Sequence, residues 1–190
     1  MNHGACMEDE RAIARTRQWL ERAVLGLGLC PFAAPVHRLG LIHYSVSDAR
    51  NEELLLADLA REALALQDLT PQLRETTLLI HPWVLTEFVS YNAFLARADR
   101  CLFDLGLEGE LQIASFHPQY RFADAGEDAI ENNTNRSPFP MLHLLREASV
   151  ERAIEAFPDT DSIYLRNIET LRRLGHDGWR RLFDDEPGTS

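Results

Sequence analysis

The residues with the clearest potential for chemistry lie in and after an Asn-rich stretch, ENNTNRSPFPMLHLLREAS (131–149). If a helix runs from Pro138, a rotation of about 100° per residue puts His143, Arg146 and Glu147 on one side. The same stripe becomes apolar farther along the chain, at Val150, Ile154 and Phe157. Because buried charges need partners, the pattern predicts that the three groups face a cleft. The alternative is a solvated face, where charged side chains are common.

The start of this predicted helix is suited to an anion. Ser137 is a good N-cap and Pro138 suits the first helical position, where free backbone N–H groups favour negative charge. Arg136 and Arg146 could add bidentate donors to a phosphate or carboxylate, and Asn135 could add a polar contact. The alternative is a plain capped helix with Arg136 in a surface ion pair, and Asn residues that only form turns.

Two further histidines end predicted strands. His81 and His117 each stand in a His-Pro pair, and ligands of parallel α/β sheets bind at the carboxyl ends of strands. In one hypothesis His117 or His143 is the general acid or base, oriented by Glu147, with His81 in the same catalytic site. In a metal variant, His117, His143 and Glu147 bind a divalent metal. The alternative is that these histidines are hydrogen-bonded core groups.

The chain has three cysteines, which are widely spaced and form no CxxC pair. This fits free thiols in a reducing cytoplasm. Cys30 follows a predicted helix end, where the dipole does not favour a thiolate, so packing as a small hydrophobe is the simpler interpretation. Cys30 would join the candidate catalytic residues if the fold placed His81 or His117 beside it.

Along the chain, the spacing of apolar residues predicts alternating helices and strands. The predicted helices are 8–27, 49–67, 84–105, 138–157 and 161–174, and the predicted strands are 39–47, 75–82 and 109–118. An irregular loop, 117–137, and a short amphipathic end around Trp179 complete the chain. This order predicts one α/β domain, 1–185, with a small, mainly parallel sheet of about three strands covered by helices, and extra C-terminal helices. Residues 186–190 are predicted to be a disordered tail.

Composition excludes several classes of protein. A net charge of −11 argues against a nucleic-acid or anionic-membrane surface, and no run of about 20 apolar residues could span a bilayer. All 19 basic residues are Arg, which excludes a Schiff-base lysine for pyridoxal phosphate and a P-loop nucleotide site. No GxGxxG or GxSxG motif is present either. The partner that remains is a small anionic ligand, with a divalent metal as the candidate cofactor.

Three stretches resemble a known family. LGLCPFA (27–33), ASFHPQYRFAD (114–124) and ENNTNRSPFPMLHLLREASVERA (131–153) are similar to the domain of unknown function 1415 family of bacterial proteins. The resemblance extends from about residue 10 to about residue 180, and the third stretch is its most specific part. It implies a bacterial, cytoplasmic protein, and it supplies no activity, cofactor or catalytic residue.

Two functions from different classes therefore remain open. The first is an enzyme that acts on a small anionic metabolite, with its site at the strand ends beneath loop 117–137. The second is a non-catalytic binding or scaffold protein, in which the His, Arg and Glu side chains form an internal network that fixes the loop.

Overall fold

The computed structural model describes residues 3–156 and 160–184, with side chains described at 7–156 and 162–184. Its helices are α1 (His3–Trp19), α2 (Ala33–Arg38), α3 (Glu52–Asp68), α4 (Phe88–Asp104), α5 (Glu147–Ala156) and α6 (Thr160–Arg181). Its strands are β1 (Ile42–Val46), β2 (Thr76–Ile80), β3 (Leu111–Phe116) and β4 (Met141–Arg146). A π-helical turn, Leu20–Leu25, extends α1, and a 3₁₀ turn, Ile130–Thr134, lies in the predicted loop.

The four strands form one sheet in the order β1-β2-β4-β3. β1 and β2 are parallel, whereas β4 is antiparallel to both of its neighbours. The mixed α/β class and the additional C-terminal helices are confirmed, but the prediction of about three, mainly parallel strands is wrong. The fourth strand, β4, lies in the first half of the predicted helix 138–157, whereas the second half is helical and forms α5.

Two prolines directly before MLHLLR argue against the predicted helix start at Pro138. Ser137 and Phe139 each precede a proline, and a residue before proline is pushed away from the α conformation towards extended backbone. β4 is a central strand with helices on both faces, so apolar side chains lie on both of its faces, as Met141 and Leu142 do, and do not alternate regularly with polar ones. A short run that is apolar throughout does not distinguish a buried strand from a helix.

Helices cover both faces of the sheet, and each face has its own core. One core joins α3 and α4 to Leu79, Leu142 and Leu144. The other joins α1 and its π-helical turn to Ile80 and Met141, with Trp179 and Phe183 packed against it. This arrangement places the N-terminal helix and the C-terminal segment on the same face of the sheet.

The remaining predicted elements match the structure with shifted ends. α3 begins later than predicted, because its N-cap is Asn51, whose side chain accepts a hydrogen bond of 2.9 Å from the Leu54 N–H. α6 breaks at Gly175, where φ is 67° and ψ is 172°, at the end of the predicted helix 161–174. None of the described helices combines the length and apolar character needed to cross a membrane. The predicted tail 186–190 lies outside the described residues.

Candidate functional site: an arginine-lined cavity

The two strand-end histidines are buried and hold the loop that follows β2. His81 Nδ1 donates to the Val84 carbonyl at 3.0 Å, and His117 Nε2 donates to the Leu85 carbonyl at 3.2 Å. His117 Nδ1 accepts the Gln119 N–H at 3.0 Å, so both of its ring nitrogens are occupied. Burial lowers the pKa of both rings, to about 4 for His81. These contacts give His117 a structural role in the described protein.

Tyr91 connects the same region to the sheet. Its ring stacks on His81 at 5.8 Å between centroids and lies 5.0 Å from the His117 ring. Its hydroxyl donates to the Met141 carbonyl at 2.7 Å and accepts the Phe116 N–H at 3.0 Å. His81 Nε2 is the buried atom of this group that has no hydrogen-bond partner among the described residues. The group is a core network rather than an open site.

His143 and Arg146 point to opposite faces of the sheet, because they lie three residues apart in a strand. The Thr76 hydroxyl donates to the Leu144 carbonyl and so accepts from His143 Nε2, both at 2.6 Å. Burial lowers the pKa of His143 to about 4. Arg146 Nη2 donates to the carbonyls of Leu66 and Leu69, both at 2.6 Å, at the end of α3. The prediction that these two charges share one helix stripe with Glu147 is wrong.

The candidate metal ligands are not brought together. His117 follows Phe116, which pairs with Met141, whereas Glu147 follows Arg146, which pairs with Leu111 at the other end of the strands. Six residues of strand separate the two positions, which is roughly 20 Å. Within residues 3–156 and 160–184, no group of three His, Cys, Asp or Glu side chains is placed to hold a metal.

Cys30 is a half-buried free thiol against the core on the α1 face of the sheet. Burial raises its pKa, and this outweighs the opposing hydrogen bonds from the backbone of Phe32 and Ala33. A raised pKa keeps the sulfur protonated, and a protonated thiol is a poor nucleophile. Its surroundings therefore favour packing.

The three asparagines of the loop have different roles. Asn132 donates to the Gly126 carbonyl at 2.8 Å and accepts the Phe122 N–H at 3.1 Å. Asn135 donates to the Ser115 carbonyl at 3.1 Å, which attaches the loop to β3. Asn133 is 3% exposed and lies on the wall of a cavity, and its side chain makes no hydrogen bond to another described residue.

That cavity has a volume of about 960 Å³ and lies between three distant parts of the chain. α1 contributes Arg11, Arg15, Gln18 and Trp19. The loop and the turn after it contribute Pro118, Asp128, Asn133, Arg136, Ser137 and Pro138. The C-terminal segment contributes His176, Trp179, Arg180 and Phe183. The kink at Gly175 turns this last segment towards α1, and Arg22 Nη1 holds it there through the Leu182 carbonyl at 3.0 Å.

The cavity is strongly cationic. Four arginines line it, and Asp128 is the one carboxylate among its described lining residues. Arg136 is fixed in place, because its Nε donates to the Tyr120 carbonyl at 3.1 Å and its Nη2 to the Glu127 carbonyl at 2.7 Å. Burial lowers the pKa of Arg136, against the attraction of Asp128 and Glu127. A desolvated guanidinium held in this way gains from an anion placed opposite it.

Of the residues predicted from sequence, Arg136 and Ser137 line the cavity. They do so from a turn rather than from a helix N-terminus, since the Ser137 hydroxyl donates to the Phe139 carbonyl at 2.6 Å. Asn135, Arg146 and the predicted catalytic residues His81, His117, His143, Glu147 and Cys30 are not among its described lining residues. Arg11, Arg15 and Arg180 also line the cavity and were not predicted from the sequence. The i, i+4 spacing of Arg11 and Arg15, which puts both on one helix face, was the available signal.

Comparison with known proteins agrees with the sequence motifs. No match is found among curated proteins or among solved structures. Residues 11–181, which include every lining residue of the cavity except Phe183, match the family described as "Protein of unknown function (DUF1415)", and the chain therefore belongs to that family.

Proposed function

We propose that the cavity between α1, the Asn-rich loop and the C-terminal segment binds a small anionic ligand that bears phosphate or carboxylate. One observation carries the proposal: four arginines from three segments meet at one cavity in a chain whose net charge is −11. Like charges repel when brought together. Arg11, Arg15 and Arg180 remain exposed to solvent, which screens this repulsion, and Arg180 also forms an ion pair with Asp177. An acidic protein that nevertheless concentrates cations around a concave space provides a local field that attracts anions.

The same cavity is the best place for catalysis if the protein is an enzyme. His176 and Asp128 lie on its wall and are chemically able to move protons. The strand-end histidines are less suited, because their ring nitrogens serve the backbone or are buried in the core. We therefore place the hypothetical acid–base chemistry at His176 and Asp128 rather than at His117, His143 and Glu147.

The non-catalytic alternative is also supported by specific contacts. Asn132, Asn135, His117 and Arg146 all bind backbone groups of neighbouring segments, as expected for an internal network. Such a network fixes the loop whether or not chemistry follows. Anion binding is common to both alternatives, so it is the property to test first.

Calorimetric titration with pyrophosphate tests the proposal, with Arg11→Ala as the variant and Arg173→Ala as its control. Both arginines are exposed helix residues, and only Arg11 lines the cavity. We expect binding to the unaltered protein, a loss of about tenfold in affinity for Arg11→Ala, and little change for Arg173→Ala. Equal losses in the two variants, or no binding to the unaltered protein, would contradict the proposal.

A further inference from the structure

We infer that the ligand joins its anionic group to a flat aromatic ring, as a nucleotide does. The inference rests on the proposed anion site and adds a class of ligand to it. It comes from the aromatic and amide side chains that line the cavity beside the arginines.

The size of the cavity exceeds what an inorganic anion requires. Small-molecule sites range from roughly 300 to 1,000 Å³, and the cavity, at about 960 Å³, lies at the upper end of that range. The arginines are also spread over α1, the loop and the C-terminal segment. A ligand that reaches several of them must be extended, and its remaining bulk must contact the other walls.

The α1 wall and the C-terminal wall of the cavity carry aromatic rings as well as arginines. Trp179 and Phe183 are half-buried and meet edge to face, with centroids 5.5 Å apart and planes at 71°. An edge-to-face pair leaves at least one face of each ring uncovered by its partner. Trp19 is held by its indole N–H, which donates to the Arg136 carbonyl at 2.9 Å. Trp19 is 4% exposed, so Trp179 and Phe183 are the rings on which a base can stack, which strengthens binding by about tenfold.

Asn133 adds a hydrogen-bonding group to the arginines and aromatic rings of the cavity. Asn133 is 3% exposed and lies on the cavity wall, and its amide makes no hydrogen bond to another described residue. Its amide atoms are not among the fully buried polar atoms that lack a partner, so they reach the space of the cavity and are free to bind a ligand there. A primary amide offers a donor and an acceptor side by side in one plane, the pattern that matches the edge of a nucleobase. An amide that faces the cavity, aromatic rings and arginines around one cavity together favour a nucleotide over a simple phosphate.

The test compares ADP with pyrophosphate in metal-free calorimetric titrations of the full chain. We expect ADP to bind about tenfold more tightly than pyrophosphate, because only ADP can stack. Trp179→Leu should reduce this ratio to near one, and Trp179→Phe should keep most of it. Trp83→Leu is the matched control, since Trp83 lies under Arg50 and outside the cavity lining.

The possible outcomes distinguish failure of the ring inference from failure of the anion site. If pyrophosphate and ADP bind equally to the unaltered protein, the ring inference is wrong and the anion site stands. If neither binds, both are wrong. If the preference for ADP survives Trp179→Leu, or is lost equally in Trp83→Leu, the stacking wall is wrongly assigned. The ratio is measured within each variant, so a general loss of folded protein lowers both affinities and leaves the comparison valid.

Discussion

Asn132 and Asn133 are neighbours in the chain, and both are buried, yet their surroundings differ. Asn132 satisfies three backbone groups of the loop, at Phe122, Gly126 and Glu127. Asn133 faces the cavity and has no hydrogen-bond partner among the described residues. Two adjacent, chemically identical residues therefore offer a matched pair that separates the stability of the loop from ligand binding.

We expect Asn132→Ala to lower the free energy of unfolding by about 2 kcal/mol, because buried backbone groups lose their partners. Asn133→Ala should leave stability within about 0.5 kcal/mol and weaken the binding of ADP. Urea unfolding and calorimetry on both variants measure the two effects. Equal losses of stability would mean that the Asn133 amide is as engaged as that of Asn132.

At the residue scale the sequence predicted two lining residues, Arg136 and Ser137, although the physical reason was different. The expected helix N-terminus is a turn, and the side chains reach the cavity from there. His117 was predicted as functional because it ends a strand, and Arg146 because a charged group on a covered face needs a partner. Their partners are instead the backbone carbonyls of Leu85 and Leu66, which no single-sequence pattern identifies.

At the element scale, β4 is the element whose type was predicted wrongly from the sequence, as part of a helix. Isolated helices with clear stripes, such as α3 and α4, were predicted to within a few residues. β4 is a central strand with apolar residues on both faces, so its hydrophobic periodicity did not distinguish a strand from a helix. The prolines at 138 and 140 were the better guide, because they disfavour a helix that begins at 138. Because β4 is a strand, a helical rotation of about 100° per residue no longer puts His143, Arg146 and Glu147 on one side.

The break in α6 is an element whose geometry can be altered directly. Gly175 has φ of 67° and ψ of 172°, a backbone region that is essentially restricted to glycine. We expect Gly175→Ala to cost about 1–3 kcal/mol and to weaken pyrophosphate binding, because the segment that carries Trp179 and Arg180 must shift.

Gly126→Ala is the control for this change. A Cβ there would meet no atom within 4 Å, and its backbone has no positive φ. Thermal unfolding and pyrophosphate titration should leave the Gly126 variant close to the unaltered protein. If Gly175→Ala binds pyrophosphate with unchanged affinity, the kink does not set the position of the C-terminal wall.

At the scale of the whole molecule, the order of the strands could not be predicted. β4 lies between β2 and β3, so the last strand in sequence is at the centre of the sheet. Such pairing depends on contacts between residues far apart in the chain, and local propensity does not encode them. The cavity was unpredictable for the same reason, since its walls are brought together only by the packing of α1 and the C-terminal segment on one face.

Buried histidines make the stability of the whole molecule dependent on pH. The folded-state pKa values of His81 and His143 are about 4, whereas an unfolded histidine titrates near pH 6.5. Between these values the unfolded chain binds more protons, so the free energy of unfolding falls as the pH drops from about 6.5 to about 4. For His81 the full effect is about 3 kcal/mol.

Urea unfolding at about pH 7.5, 6 and 5 measures this loss. We expect His143→Gln, whose amide can still donate to Thr76, and His81→Gln each to make the pH dependence shallower. If both variants lose stability with the same slope as the unaltered protein, other groups cause the acid sensitivity.

The three-part wall of the cavity has a consequence for biosynthesis. A nascent chain that has emerged from the ribosome as far as the end of β4 contains every strand of the sheet and the residues of two of the three walls. The third wall, from His176 to Phe183, is made about thirty residues later, and at 5–20 residues per second this delay is on the order of seconds. The proposed binding cavity is therefore completed last, and a ribosome-bound chain that lacks this segment has every strand but only two of the three walls.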